Sequence, residues 1–293
     1  MGEGDTVPFD ETYDRSSGLG ASEMWKAFCW DEKLYYSKLG ARQGKEYIKP
    51  FTGNLATRLG HESEDITLTV GAELANLTLL GHDDITKAHP DKPWIFATVD
   101  AMAHDEDGEL CTVEAKLVGY GPHLDWGHPD DGVDAMPNKV RAQVATQMAV
   151  EDTSKAFVFA WIGTNIRVYE VERDKAWEDE LFARAETFWN WIVAEEGFPI
   201  REGKATTDYL ARKWERTSKE YREDPEAKDL LVARAKVKEL SDDYDSELKL
   251  LDNKIRNLIG PDDGIIVPGV GKASFLFDRR GRRILRVRME EKE

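Results

Sequence analysis

Trp94-Ile95-Phe96-Ala97-Thr98-Val99-Asp100, followed by Leu110-Cys111-Thr112-Val113-Glu114-Ala115-Lys116-Leu117, is the stretch on which the reading of this chain turns. The first run is apolar and reads as a buried strand that delivers Asp100 at its end. The second alternates with period two, as a half-buried strand does. His104-Asp105-Glu106-Asp107-Gly108-Glu109 between them is a polar turn. In the hairpin this predicts, Glu114 and Lys116 point to one face and Asp100 meets them at the strand ends. Two converging carboxylates suit a hard cation, Mg²⁺ with Mn²⁺ as a substitute, and the adjacent amine can orient or deprotonate a water. That is the chemistry of a metal-dependent phosphodiesterase. An Asp ahead of Glu-x-Lys also occurs on ordinary solvated strand faces, so the flanking segments have to decide.

The chain of 293 residues is 41% hydrophobic and holds nine tryptophans, enough for one sizeable α/β domain with an extension. Its net charge of −17 is unevenly spread: residues 201–293 hold 22 Lys+Arg and 20 Asp+Glu, which leaves −19 on residues 1–200. Nucleic-acid binding normally leaves a basic footprint. An acidic domain is nevertheless compatible with a polyanionic substrate where divalent ions neutralise its centre, because local potential governs binding. Cys29 and Cys111 lie far apart with no CxxC, which speaks against a disulfide framework, a zinc site or an iron–sulfur cluster. No apolar run approaches the roughly 20 residues of a membrane span, and the acidic start Met1-Gly2-Glu3-Gly4-Asp5 is unlike a signal peptide. A soluble, cytoplasmic protein is expected.

The pattern along the chain is helix, strands, helix, strands, helix, the order of a mixed sheet with flanking helices. A helix opens at Ala21-Ser22-Glu23-Met24, with Ser22 as its N-cap after the Gly18-Leu19-Gly20 turn. A second runs from about Asn54 to Leu74. Gly119 to Pro137, rich in Gly, Pro, His and Asp, reads as a long loop over a site. Pro137 starts a helix that presents Val140, Gln143, Val144, Gln147 and Met148. Phe157–Ile162 and Ile166–Val171 form a hairpin across Gly163-Thr164-Asn165, and a helix from about Lys175 to Glu195 closes the unit. Residues 1–200 are thus expected as one domain and 201–293 as a helical extension. In the extension Leu230, Val237, Tyr244, Leu251 and Leu258 recur at heptad steps, a helix before Pro225 pairs against that seam, and a basic β-hairpin ends the chain.

Four segments in order resemble the phage lambda exonuclease and YqaJ-type viral recombinase family, a branch of the PD-(D/E)xK nucleases. Arg15-Ser16-Ser17-Gly18-Leu19-Gly20-Ala21-Ser22 is similar to its opening signature, and Gly60-His61-Glu62-Ser63-Glu64 to its G-x-x-x-E helix. Asp100 with Glu114-Ala115-Lys116 matches its core motif. Pro137 to Val150 resembles its P-x-x-Y-x-x-Q-V-Q-x-Q-M helix, with Val140 and Ala145 standing where tyrosine and glutamine are common. The likeness covers residues 15 to about 195. It implies a restriction-endonuclease-like fold, a mixed central sheet flanked by helices, followed here by the helical hairpin and short β-hairpin of the extension.

The resemblance further implies a Mg²⁺-dependent 5′→3′ exonuclease acting on linear double-stranded DNA in phage recombination. The catalytic set would be Glu64, Asp100, Glu114, Lys116 and Gln143. The metal would sit on Asp100, Glu114, the Ala115 carbonyl and Glu64, and Arg15 with Ser22 would grip a 5′ phosphate. The alternative to that grip is a plain helix cap and a surface charge. A homo-oligomer, commonly a trimer, a single-strand annealing protein as partner, and the host cytoplasm of a phage-encoded protein come with the same likeness. Competing readings are an endonuclease or repair nuclease of the same fold and a non-catalytic DNA-end-binding module. Outside the set, His123, Asp125 and His128 fit either a transition-metal site or a loop with incidental histidines. Arg279, Arg280, Arg282, Arg283, Arg286 and Arg288 fit either a DNA-backbone contact or a solvated charged face.

Overall fold

Strand β6 (Leu110–Val118) is the centre of a five-stranded sheet in the order β2-β5-β6-β7-β8, formed with β2 (Thr78–Gly81), β5 (Ala101–His104), β7 (Lys155–Ile162) and β8 (Asn165–Glu172). The computed structural model describes residues 16–49, 53–81, 85–119, 121–213, 227–259, 262–268, 270–279 and 283–289. β6 pairs parallel to β7 while the other pairs are antiparallel. A parallel pair needs a long crossover, and helix α4 (Asn138–Glu151) lies within it. The β7–β8 hairpin closes through Gly163 at φ +64, a left-handed conformation that favours glycine.

The hairpin expected around Asp100 is drawn differently. The strand paired with β6 across the Asp105–Glu109 turn is β5, with Ala101 opposite Val113. The apolar run before Asp100 gives only a short strand, β4 (Ile95–Ala97), which joins β1 (Leu19–Gly20) and β3 (Lys87–Ala88) in a separate sheet. Asp100 therefore sits at the bend where the chain leaves one sheet for the other.

Helix α3 (Leu55–Ala75) covers one face of the main sheet, packing Leu68 and Ala72 on Ala101, Ala103, Cys111, Val113, Phe157 and Phe159. Asn54 caps it by accepting the Thr57 amide at 3.0 Å. Gly71 lies so close to Phe159 that a Cβ there would meet the ring at 2.3 Å. The other face receives Val140, Val144 and Met148 of α4 against Ala156, Val158, Ala160 and Tyr169. Ala142, Ala145 and Ala149 on the far side of α4 face the helical layer of α1 (Met24–Phe28), α2 (Glu32–Arg42) and α5 (Lys175–Ala194). A helix covered on both sides carries apolar side chains facing both ways, which is why α4 lacks amphipathic period. Val140 and Ala145, the two departures noted above, are both buried in these cores.

Helix α2 escaped the sequence reading, although Asp31 caps it by accepting the Leu34 amide at 2.7 Å. Residues up to 216 group into one compact unit and those from 217 into a second. Helix α6 (Lys204–Arg212), assigned above to the extension, belongs to the first: Tyr209 stacks on Tyr36 of α2, centroids 4.3 Å apart. The second unit holds α7 (Ala227–Ile259) and a three-stranded antiparallel sheet of β9 (Gly264–Val267), β10 (Gly271–Phe277) and β11 (Arg283–Met289), one strand more than the expected hairpin. The partner helix expected before Pro225 falls outside the described residues.

Candidate active site

A cavity of about 790 Å³ in the first unit is walled by Ala21, Ser22, Glu64, Asp100, Glu114, Ala115, Lys116 and Gln143. Four different elements supply these groups. β6 carries Glu114 and Lys116 two residues apart, so pleating aims both at the α4 side of the sheet. The register that pairs Ala101 with Val113 sets Asp100 beside Glu114. Its Oδ2 accepts the Ala115 amide at 2.7 Å, fixing the carboxyl over the strand. Glu64 enters from α3 and Gln143 from α4.

Glu114 is nearly fully buried, and a buried carboxylate must be surrounded by donors. Its Oε1 accepts Gln143 Nε2 at 2.6 Å and the Lys116 ammonium, and its Oε2 accepts Gln147 Nε2 at 2.5 Å. Gln147 is completely buried and also donates to the Thr98 carbonyl at 2.9 Å, so one amide ties the buried glutamate to the chain just before Asp100. The sequence reading placed Gln147 on the helix without a role. The available signal was its position one helical turn after Gln143, which puts both amides on one face.

The electrostatics are those of crowded carboxylates. Burial above all, then the Glu114 charge, push the Asp100 carboxyl up to about 8, against the pull of the Ala115 amide and the Lys116 charge. For Lys116, burial opposes the charged form, but the Glu114 carboxylate, its hydrogen bond, and the Asp100 and Glu64 charges together hold the ammonium above its usual range. Lys116 is therefore held as a cation, a form that can orient a water but cannot take its proton. Glu62 points away from this group, exposed and 3.8 Å from Arg58.

Ser22 reaches the cavity by another route. Gly18 passes so close to β4 that a Cβ would meet the Trp94 carbonyl at 2.2 Å, and Leu19 N donates to that carbonyl at 2.7 Å. The buried Lys38 donates to the Gly18 carbonyl at 2.8 Å and pairs with Glu23 Oε2 at 2.7 Å, while Glu23 Oε2 accepts the Gly20 amide at 3.0 Å. This brace presents Ser22, which caps no helix: a 3-10 turn, Ala21–Glu23, precedes α1, with Gly20 at its N-cap. The Ser22 hydroxyl is exposed and makes no hydrogen bond among the described residues. Arg15 lies outside the described residues.

The loop before α4 does not border this cavity. Trp126 and Met136 sink into the core beside Tyr169, whose hydroxyl donates to the Gly127 carbonyl at 2.8 Å, so the segment is docked on β8. His123 Nδ1 accepts the Gly121 amide and His128 Nδ1 accepts the Asp130 amide, each closing its own turn. No group of three His, Cys, Asp or Glu side chains among the described residues forms a ready metal-ligand cluster.

The cavity still fits a hard divalent cation. Mg²⁺ commonly takes only one or two carboxylates and completes its shell with water and substrate phosphate. Asp100 and Glu114 are oxygen donors, and the burial and, second to it, the mutual repulsion that raise Asp100 are what a dication offsets.

Residues 13–156 match the family model described as the YqaJ-like viral recombinase domain. Among solved structures the chain is similar to the alkaline exonuclease LHK-Exo from Laribacter hongkongensis, at 18% identity and TM-score 0.50 over 68% of this chain and 94% of that one. The same values hold for LHK-Exo in complex with dAMP. A phage related exonuclease from Haemophilus somnus 129PT aligns at 13% identity and TM-score 0.45 over 61% of this chain and 96% of that one. No curated protein matches the sequence.

Proposed function

We propose that this chain, whose residues 13–156 match the model of the YqaJ-like viral recombinase domain, is a Mg²⁺-dependent nuclease that degrades linear double-stranded DNA from 5′-phosphorylated ends in the 5′→3′ direction. The observation that carries the reading is the convergence of Asp100, Glu114, Lys116, Glu64 and Gln143 on one cavity that Ser22 also borders. Asp100, Glu114 and the Ala115 carbonyl would hold the cation, with Glu64 contributing from α3. The bound cation would supply Lewis-acid stabilisation of charge building on the phosphoryl oxygens. Lys116, kept charged by its carboxylate neighbours, orients the attacking water. Gln147 keeps Glu114 Oε2 engaged, so Oε1 is the oxygen that faces the cavity with Gln143 and Lys116. Gln143 then positions the water or the scissile phosphate by hydrogen bonding. The unengaged Ser22 hydroxyl, on a turn locked by Lys38, supports a terminal-phosphate contact that Arg15 would complete.

Linear duplex labelled at one 3′ end, with a 5′ phosphate or a 5′ hydroxyl, tests this beside closed circles and Lys116→Ala. Mononucleotides from the phosphorylated strand, with circles and the variant inert, are expected. Cutting of circles would replace the reading with an endonuclease, and metal-dependent binding without cutting would replace it with a DNA-end-binding module. Light scattering of the eluted protein tests the trimer implied by resemblance, and pull-down with a single-strand annealing protein tests that partner.

A further inference from the structure

The outward face of the small sheet in the second unit carries a row of unanswered cations. β10 and β11 pair so that Lys272 lies opposite Arg288, Ser274 opposite Arg286 and Leu276 opposite Ile284. Side chains alternate along a strand, so these six share one face. The other face turns inward: Ala273 is buried on it, and Ile259, at the end of the helix against which β10 packs, is buried too. Arg283 belongs to that inner side. Its Nε donates to the Phe275 carbonyl at 2.8 Å, and its guanidinium lies 4.1 Å from the Phe275 ring centroid. Lys272, Arg286 and Arg288 are exposed and make no ion pair or hydrogen bond among the described residues.

Two cations of the first unit, Lys155 and Arg173, are by contrast each answered by carboxylates. Lys155 meets Asp105 at 2.9 Å and Glu170 at 3.1 Å, and Arg173 meets Glu178 at 2.7 Å and Asp152 at 3.0 Å. In a protein of net charge −17 carboxylates are abundant, yet this face has none opposite its cations. Like charges set directly across an antiparallel ladder repel, and a bound anion reverses the sign of that interaction.

We propose that this face binds the phosphate backbone of nucleic acid without reading base sequence. Arg286 and Arg288, two residues apart, stand about 6.8 Å apart along the strand, and Lys272 stands about 5 Å across from Arg288. A strand with one phosphate per about 3.4 Å of axis matches such a row along its length, where a lone carboxylate answers one member. Guanidinium forks accept phosphate oxygens in pairs, and the ammonium adds a point charge. The assignment is separate from the hydrolytic reading, and its test needs no turnover.

The full chain, with EDTA present, is titrated into a fluorescent duplex closed by a hairpin at each end, over a series of salt concentrations. The parent is compared with the triple variant Lys272→Ala, Arg286→Ala, Arg288→Ala, with Arg286→Ala alone, and with a charge-keeping Arg286→Lys, Arg288→Lys variant. With about 0.9 counterions released per phosphate contact, the triple variant should make the slope of log K against log salt shallower by about 2.7 and the single variant by about 0.9. The charge-keeping variant should retain the parental slope. Circular dichroism checks that each variant is folded, and the single variant carries the test if the triple is not. An unchanged slope in a folded variant overturns the proposal. So does altered self-association with unchanged DNA titration, which would assign the face to an acidic protein surface.

Discussion

Replacing Asp100 by Asn separates what its carboxylate does to the fold from what it does for a cation. In the metal-free protein the carboxyl is pushed from 3.8 up to about 8, by burial first and the Glu114 charge second. The folded state thus keeps a proton that the unfolded chain releases, so this group makes stability fall as pH rises from about 4 to about 8, with no further change below or above that interval. Near neutral pH the interval spans about three units, an upper figure of about 4 kcal/mol at about 1.4 kcal/mol per unit. Water entering the open cavity raises the effective dielectric and brings this to roughly 2 kcal/mol. Asn keeps the shape and an oxygen for the Ala115 amide, which now lies 2.7 Å from Oδ2, but brings no charge to desolvate. In EDTA near pH 7, Asp100→Asn should melt about 4–8 °C above the parent, at about 2–4 °C per kcal/mol, with a flatter pH profile. Mg²⁺ should raise the parental Tm and leave the variant unmoved, because only the parent binds it in the folded state. Calorimetry across pH reads both effects. A variant that melts at or below the parent near pH 7, beside a parent whose stability does not decline over that interval, would refute the account of Asp100.

Lys116→Ala should lower single-turnover cleavage by about 10²–10⁴-fold while keeping the Mg²⁺-induced rise in Tm, because in the proposed mechanism the ammonium orients water and an ammonium cannot ligate a cation. Gln147→Leu should cost about 1–3 kcal/mol in chemical denaturation, since it strips a donor from the buried Glu114, and should raise the Mg²⁺ concentration for half-maximal cleavage. Gly71→Ala should cost about 1–3 kcal/mol by driving a Cβ into the buried Phe159 ring, and cleavage should weaken as α3 carries Glu64 away, measured by melting and a metal titration.

The cavity's members were legible because their spacing is local. Glu114 and Lys116 share a face by strand pleating, Glu64 lies on a helix whose start near Asn54 is plain in the sequence, and Gln143 on one that Pro137 opens. Asp100 was legible as a residue but not as a position. A run as apolar as Trp94–Val99 reads as one long strand, whereas β4 takes only three of its residues and the chain then changes sheet. The glycine-rich loop was misread for a related reason. Its polar composition suggests a lid, but Trp126 and Met136 give it an anchor that is visible only once Tyr169 is opposite.

Sequence by itself determined which residues are candidates for the site, the mixed α/β order and the helices and strands with strong period, since caps, pleat and helical spacing act within a few residues. Tertiary structure alone decided that Glu114 is held by Gln143 and Gln147 at once, that Lys38 braces the turn bearing Ser22, and that residues 204–212 pack with α2. Each of these joins segments that no local pattern connects. The desolvation that makes them necessary arises only when the layers close over a buried charge.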